Sequence, residues 1–195
     1  TLSEGVTTIG NSAFSMCFSL QSVSLPSTLT SIGDSAFANC SGLTTITIPA
    51  SVSSIGEYAF QYGDDIRYVR LNEGLESIGT YAFYECQKLA GTLTIPEGIT
   101  TIEPYTFYNT AITGLNLPST LESIQSSAFY SCGELQQLTL PEGLKSIGSD
   151  AFRWCSGITG TLVIPDSVTY LDGFTGCEGI TSLKLGSGVK TIASW

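Results

Sequence analysis

One short pattern, copied along the whole chain, constrains the fold more than any other feature. Residues 26–48 read PSTLTSIGDSAFANCSGLTTITI, residues 49–71 PASVSSIGEYAFQYGDDIRYVRL and residues 141–164 PEGLKSIGSDAFRWCSGITGTLVI. Further copies occupy residues 3–25, 72–95, 96–117, 118–140 and 165–185, and a partial ninth, GSGVKTIASW, begins at Gly186. A unit of about 23 residues cannot bury its apolar face alone, whereas copies stacked in register share one continuous core. The expectation is a repeat solenoid forming a single domain over residues 1–195, with eight repeats and part of a ninth. Small slips interrupt the period. One residue is added in AGTL and in TGTL, one is lost at NTAITG, and two are lost in repeat eight, where LDGF replaces SIGxxAF. Such changes are expected in loops between fixed elements rather than as breaks in a ladder, with repeat eight forming a tighter or irregular coil.

A single repeat reads as follows. TTITI alternates polar and apolar residues with period 2, predicting a short strand with Ile46 and Ile48 inward and Thr45 and Thr47 outward. Pro49 ends it, because proline cannot donate to a ladder. Leu29 and Ile32 mark a second inward corner, and Gly33 allows a tight turn. DSAF offers an Asp or Ser cap for one helical or 3-10 turn that points Phe37 inward. Phe14, Phe37, Phe60, Phe83, Phe107, Phe129, Phe152 and Phe174 share this position and are expected to form a buried stack.

The stretches LTSIGDSAFANCSGLTTITIP, LESIGTYAFYECQKLAGTLTIP and LKSIGSDAFRWCSGITGTLVIP follow the pattern LxSIGxxAFxxCxxLxxLxIP. This pattern resembles the leucine-rich repeats of the bacterial surface antigen A-like (BspA-like) class. The resemblance implies a right-handed superhelix with a parallel β-sheet on the concave face and short helical or 3-10 turns opposite. It also implies a secreted or cell-surface protein of a host-associated bacterium, of a class often described as adhesins.

Six cysteines, Cys17, Cys40, Cys86, Cys132, Cys155 and Cys177, share one repeat position, which Gly63 and Thr110 fill in repeats three and five. Adjacent coils lie about 4.8 Å apart, and a disulfide needs Cα atoms roughly 4.4–6.8 Å apart. Only Cys17 with Cys40, and the run Cys132, Cys155, Cys177, are neighbours. At most two bridges can form, so a framework using all six is excluded. A file of one thiol per coil does not converge on zinc, and the chain has no histidine to act as a base. The expectation is a ladder of small, buried, reduced thiols, with one or two incidental bridges as the alternative.

Composition narrows function mainly by exclusion. Seventeen Asp and Glu against seven Lys and Arg give a net charge of −10, the wrong sign for a phosphate backbone, so no nucleic-acid partner is expected. No apolar run approaches the roughly 18 residues of a membrane helix, so no direct membrane insertion is expected. Nucleophile-elbow, phosphate-loop and metal-ligand motifs are absent, and neither an enzyme nor a cofactor is expected. Glu73 with Glu97, and Glu142 with Asp166, fall at one repeat position in adjacent coils and read as a solvated turn.

Two surfaces remain as candidates for a partner. The outward strand residues are mostly Ser, Thr, Asn and Gln, with Tyr68 and Arg70 as exceptions suited to anchoring a ligand. The aromatic pattern is sharper. Tyr58, Tyr81 and Tyr105 sit two residues before the core Phe in successive coils, and Tyr84, Tyr108 and Tyr130 sit just after it. Tyr62 and Trp154 occupy the next position. Together they predict a patch along the turn side of repeats three to seven. Tyr and Trp suit binding hot spots and flat sugar-stacking surfaces; tyrosines that merely cover the Phe stack are the competing explanation. The expected function is non-enzymatic binding or adhesion to a host or bacterial protein or glycan, with a structural spacer as alternative. No polar cap is visible, so the chain is expected either to be excerpted from a longer one or to expose ends that self-associate end to end.

Overall fold

The structure is a computed structural model that describes residues 1–193; Trp195, where the partial ninth repeat stops, lies outside them. Fifteen short strands follow one another, with no helix among the described residues. Two sets alternate, one strand of each set per coil wherever both form. The first set is built on the Ser-Ile corner. Strands β1 (Thr8–Ile9), β2 (Ser31–Ile32), β4 (Ser54–Ile55) and β6 (Ser77–Ile78) form one parallel sheet. Strands β8 (Thr101–Ile102), β10 (Ser123–Ile124), β11 (Ser146–Ile147), β13 (Tyr170–Leu171) and β15 (Thr191–Ile192) form another. Each residue pairs with its equivalent one repeat away, Ser31 with Ser54 and Ile32 with Ile55, so the register is the repeat itself.

The second set is the TTITI position, where β3 (Thr45–Thr47) pairs with β5 (Tyr68–Arg70), β7 (Ala90–Thr94) with β9 (Ala111–Asn116), and β12 (Gly160–Val163) with β14 (Ile180–Lys184). This ladder is broken into three pairs, and the one-residue slips lie within it, contrary to the loop placement expected above, whereas the two-residue loss of repeat eight lies outside it. Pairing shifts register between Gly91 and Thr92 and again between Gly160 and Thr161. Both glycines have φ of 81°, a left-handed conformation that costs glycine little. The added residue is therefore absorbed as a ladder irregularity. Coil six, of ordinary length, lies between a short coil and a long one and forms no strand in this ladder; Gln136 still bonds to Thr113 and Thr159, but the backbone groups of Gln137, Leu138 and Thr139 form no hydrogen bond among the described residues.

The DSAF segment is not a helical or 3-10 turn. Ser35 and Asn39 have φ of 53° and 59°, which no right-handed helix contains. Two sets of hydrogen bonds alternate instead. Ala36, Ala38 and Cys40 N–H groups donate within the coil to Gly33, Ser35 and Phe37 carbonyls at 3.1–3.3 Å. Ser35, Phe37 and Asn39 N–H groups donate to Glu57, Ala59 and Gln61 of the next coil, each at 2.8 Å. A helix would keep both sets inside one coil; turning every second N–H along the solenoid axis ties the coils together. Asp34 caps its neighbour rather than itself, its Oδ1 accepting from the Glu57 N–H at 2.9 Å. In repeat eight Gly176, at φ of 77°, falls where the other coils use a left-handed residue after the core Phe, and Gly173, at φ of 95°, takes up the tighter turn directly before Phe174, so the coil survives its deletion.

The core is the phenylalanine file. Consecutive rings from Phe14 to Phe174 stack with centroids 5.2–5.5 Å apart and planes within 13°. Phe37 to Phe174 are buried, but Phe14 is only half-buried and Cys17 is exposed. Both depart from the expected buried ladder for one reason: no described coil covers that side of coil one. The other five cysteines are buried and free, and each Sγ lies 3.1–3.3 Å from the carbonyl of the core Phe one coil before, positioned to donate to it. Of these carbonyls, Phe14, Phe129 and Phe152 also accept the N–H of their own coil's cysteine, Cys17, Cys132 and Cys155. Where the thiol is missing at Gly63, the Ile66 side chain fills the space, its Cδ1 only 2.4 Å from where a Cβ would stand. Thr110 instead donates to Phe107 and lies 3.2 Å from the Cys132 Sγ.

Candidate functional site

The aromatic residues converge into one connected surface. Tyr58, Tyr81 and Tyr105 stack at 5.0 and 4.6 Å. Tyr84, Tyr108 and Tyr130 stack at 4.8 and 4.7 Å. Two contacts join the files, Tyr81 edge-on to Tyr84 at 5.3 Å and Tyr105 tilted against Tyr108 at 6.0 Å. The exposed Tyr62 meets Tyr84 perpendicularly at 5.6 Å. Because the files follow the coil repeat, stacking is dictated by sequence position: neighbouring coils place identical residues about one strand spacing apart.

One residue belongs here that the aromatic pattern did not reveal. Arg153 takes the position just after the core Phe in coil seven, so its guanidinium continues the file of Tyr84, Tyr108 and Tyr130. Its Cζ lies 6.0 Å from the Tyr130 ring centre and 5.7 Å from that of Trp154, within cation–π range, and Asp150 holds it at 3.3 Å. The signal was the repeat position, not residue chemistry. Through Arg153 the exposed Trp154 joins the patch.

Orientation decides what this surface can do. Rings that stack along the solenoid axis cover one another's faces, so solvent meets their edges and hydroxyls. Flat faces for sugar stacking are largely consumed. Burial pushes the Tyr84 phenol up to about 12, assisted by the Glu85 charge, and raises Tyr81 and Tyr108 in the same direction. The hydroxyls stay protonated donors at neutral pH. Glu85 is itself held by the Asn109 amide at 2.7 Å.

Tyr68 and Arg70 lie elsewhere, exposed on β5 opposite Thr45 and Thr47, and no ring contact among the described residues links them to the patch. Outward strand residues of the other coils are exposed apart from the half-buried Gly114. The Cys86 and Cys177 thiols are poor nucleophiles: burial pushes Cys86 up to about 12 and Cys177 to about 11. The turn carboxylates do not converge as catalytic pairs. Glu97 accepts the Ser119 N–H and hydroxyl at 3.0 and 2.9 Å, and Asp166 accepts those of Ser187 at 2.6 and 3.1 Å. No group of three or more His, Cys, Asp or Glu among the described residues is arranged to hold a metal ion.

Parallel strands in repeat register around a stacked aromatic core define a β-solenoid of about eight turns, of the leucine-rich-repeat class. The chain belongs to the family of BspA type leucine rich repeat regions, whose six-copy pattern matches residues 1–110, 62–173 and 100–195. It is similar to a leucine-rich repeat protein from Bacteroides ovatus ATCC 8483, at 29% identity and a TM-score of 0.68, over 96% of this chain and 58% of that one. It is also similar to the T. pallidum leucine rich repeat protein, at 30% identity and a TM-score of 0.56, over 84% of this chain and 69% of that one. This chain thus spans 58% of the length of the B. ovatus protein. No curated protein matches it.

Proposed function

We propose that this chain is a non-enzymatic binding module, displayed at a bacterial surface or secreted, whose contact surface for a host or bacterial protein is the tyrosine patch. The observation that carries the reading is the fusion of two tyrosine files into one surface through Tyr81–Tyr84 and Tyr105–Tyr108. Rigid amphipathic rings already held by stacking lose little conformational freedom on binding, which favours affinity. Edge and hydroxyl presentation suits the mixed apolar and hydrogen-bonding surface of a protein better than the flat face of a sugar. The family match supports an exported repeat module of this kind.

A spacer role is the second reading, and the same stacking favours it, since tyrosines that stiffen the ladder need no partner. One experiment separates the two. The wild type and a Tyr84→Ser, Tyr108→Ser, Tyr130→Ser variant are screened against immobilised host matrix proteins and bacterial surface proteins. Binding by the wild type that falls at least about tenfold in the variant, while the variant remains folded, supports the module. No binding by the wild type leaves the spacer, and equal binding by both rules out the tyrosine patch as the contact surface.

A further inference from the structure

The break in the outer ladder creates a second surface, independent of the tyrosines. Two depressions flank the unpaired segment of coil six. One, of about 390 Å³, is lined chiefly by Thr92, Gly114, Asn116, Gln137 and Thr139. The other, of about 250 Å³, is lined by Gln137 and Thr139 again, with Thr159, Thr161 and the apolar Leu138, Ile158 and Leu162. Sharing two residues, they form one trough across coils four to seven. Gly114 keeps it open, because a side chain there would crowd the Thr92 hydroxyl, 2.7 Å from the Cβ position.

Its chemistry is specific. No ionisable side chain lines either depression, although the chain carries 17 acidic residues. What it offers are side-chain hydroxyls and amides set beside apolar residues such as Leu115, Leu138 and Leu162.

We propose that this trough binds a neutral linear glycan running along the solenoid axis. Each sugar presents several hydroxyls that both donate and accept, matching a mixed, uncharged lining, and an open trough accepts a polymer of any length. Neutral ligand and neutral site make the affinity insensitive to salt.

Calorimetric titration with neutral hexasaccharides of β-linked glucose, α-linked glucose and β-linked N-acetylglucosamine tests the proposal, with a sulfated hexasaccharide as charged control. At least one neutral hexamer should bind with millimolar or tighter affinity, unchanged at high salt. Gln137→Ala with Thr139→Val should weaken it about tenfold through lost hydrogen bonds, and Gly114→Gln should block it from the neighbouring coil, giving an independent variant if the first folds poorly. The Tyr84→Ser, Tyr108→Ser, Tyr130→Ser variant should bind the glycan normally, so this trough and the tyrosine patch fail separately. Absence of binding by all neutral hexamers, binding of the sulfated one alone, or full affinity in both trough variants overturns the proposal. So does retention of affinity by the trough variants alongside loss in the tyrosine variant.

Discussion

Phe83 shows how one residue type serves the whole chain: its ring lies 5.2 Å from Phe60 and 5.4 Å from Phe107, and it is fully buried. Replacing it by alanine removes contacts with two coils at once and should cost roughly 3–5 kcal/mol in urea unfolding. Phe14, half-buried and stacked on one side only, should cost less than half as much when truncated. Equal losses at both sites would mean that stacking does not carry the stability. The cysteines give a second test at this scale. Native-state alkylation should label Cys17 quickly and leave Cys40, Cys86, Cys132, Cys155 and Cys177 unreacted until the chain is denatured, because those five are buried. Rapid labelling of Cys86 would contradict both its burial and its raised thiol pKa. The positions of Phe and Cys were legible in sequence because the period repeats them eight and six times. Ring direction was not legible: the same tyrosine spacing is compatible with faces turned outward or against each other, and only the coil spacing in three dimensions selects the second.

Within the elements, the sign of φ governs what sequence conceals. Tyr58, Tyr62, Tyr81 and Trp154 all adopt the left-handed region, at about 1–2 kcal/mol each, offset by hydrogen bonds such as that from the Trp154 N–H to Thr175 of the next coil, at 2.8 Å. Large aromatic residues announce nothing of this, so the segment reads as a helical turn. The glycines of AGTL and TGTL did carry a readable sign, since an isolated glycine in a strand pattern suggests a bulge. Gly91 and Gly160 have open space where a Cβ would stand, so Gly91→Ala should lose only the backbone term, about 1–2 kcal/mol, measurable by thermal unfolding; an unchanged midpoint would argue against the left-handed assignment. The unpaired segment of coil six was not legible, because it depends on the lengths of both neighbours rather than on its own residues.

The pH response also belongs to the elements. Tyr84 has a folded pKa raised above the ordinary phenol value of about 10, to about 12. Its contribution is therefore complete below about pH 10 and lost as pH rises toward 12. Glu97 is held low by the Ser119 hydroxyl and N–H, and Asp166 by the Ser187 N–H and hydroxyl. Their contributions are present above the ordinary carboxylate range, about pH 4, and fall away below it. Urea midpoints should form a plateau between these limits. A midpoint still rising above pH 10 would contradict the tyrosine environment.

At the scale of the molecule, eight coils at about 4.8 Å each make a rod about 40 Å long, with stability carried by nearest-neighbour interfaces. A net charge of −10 surrounds two surfaces of different character, a donor-rich tyrosine ridge and an uncharged trough. No helix among the described residues is long and apolar enough to cross a membrane. The repeat number and the solenoid were legible because period alone implies stacking; what the rod binds was not, because identical repeats yield surfaces only where they differ. The central claim is that the tyrosine patch contacts a partner through ring edges and hydroxyls. Binding of a Tyr84→Phe, Tyr108→Phe, Tyr130→Phe variant to the matrix and surface proteins captured by the wild type tests it most directly. This variant keeps the stack and removes only the hydroxyls. The account predicts an unchanged thermal midpoint with affinity lowered about tenfold, the loss of one to two hydrogen bonds; unchanged affinity would contradict it.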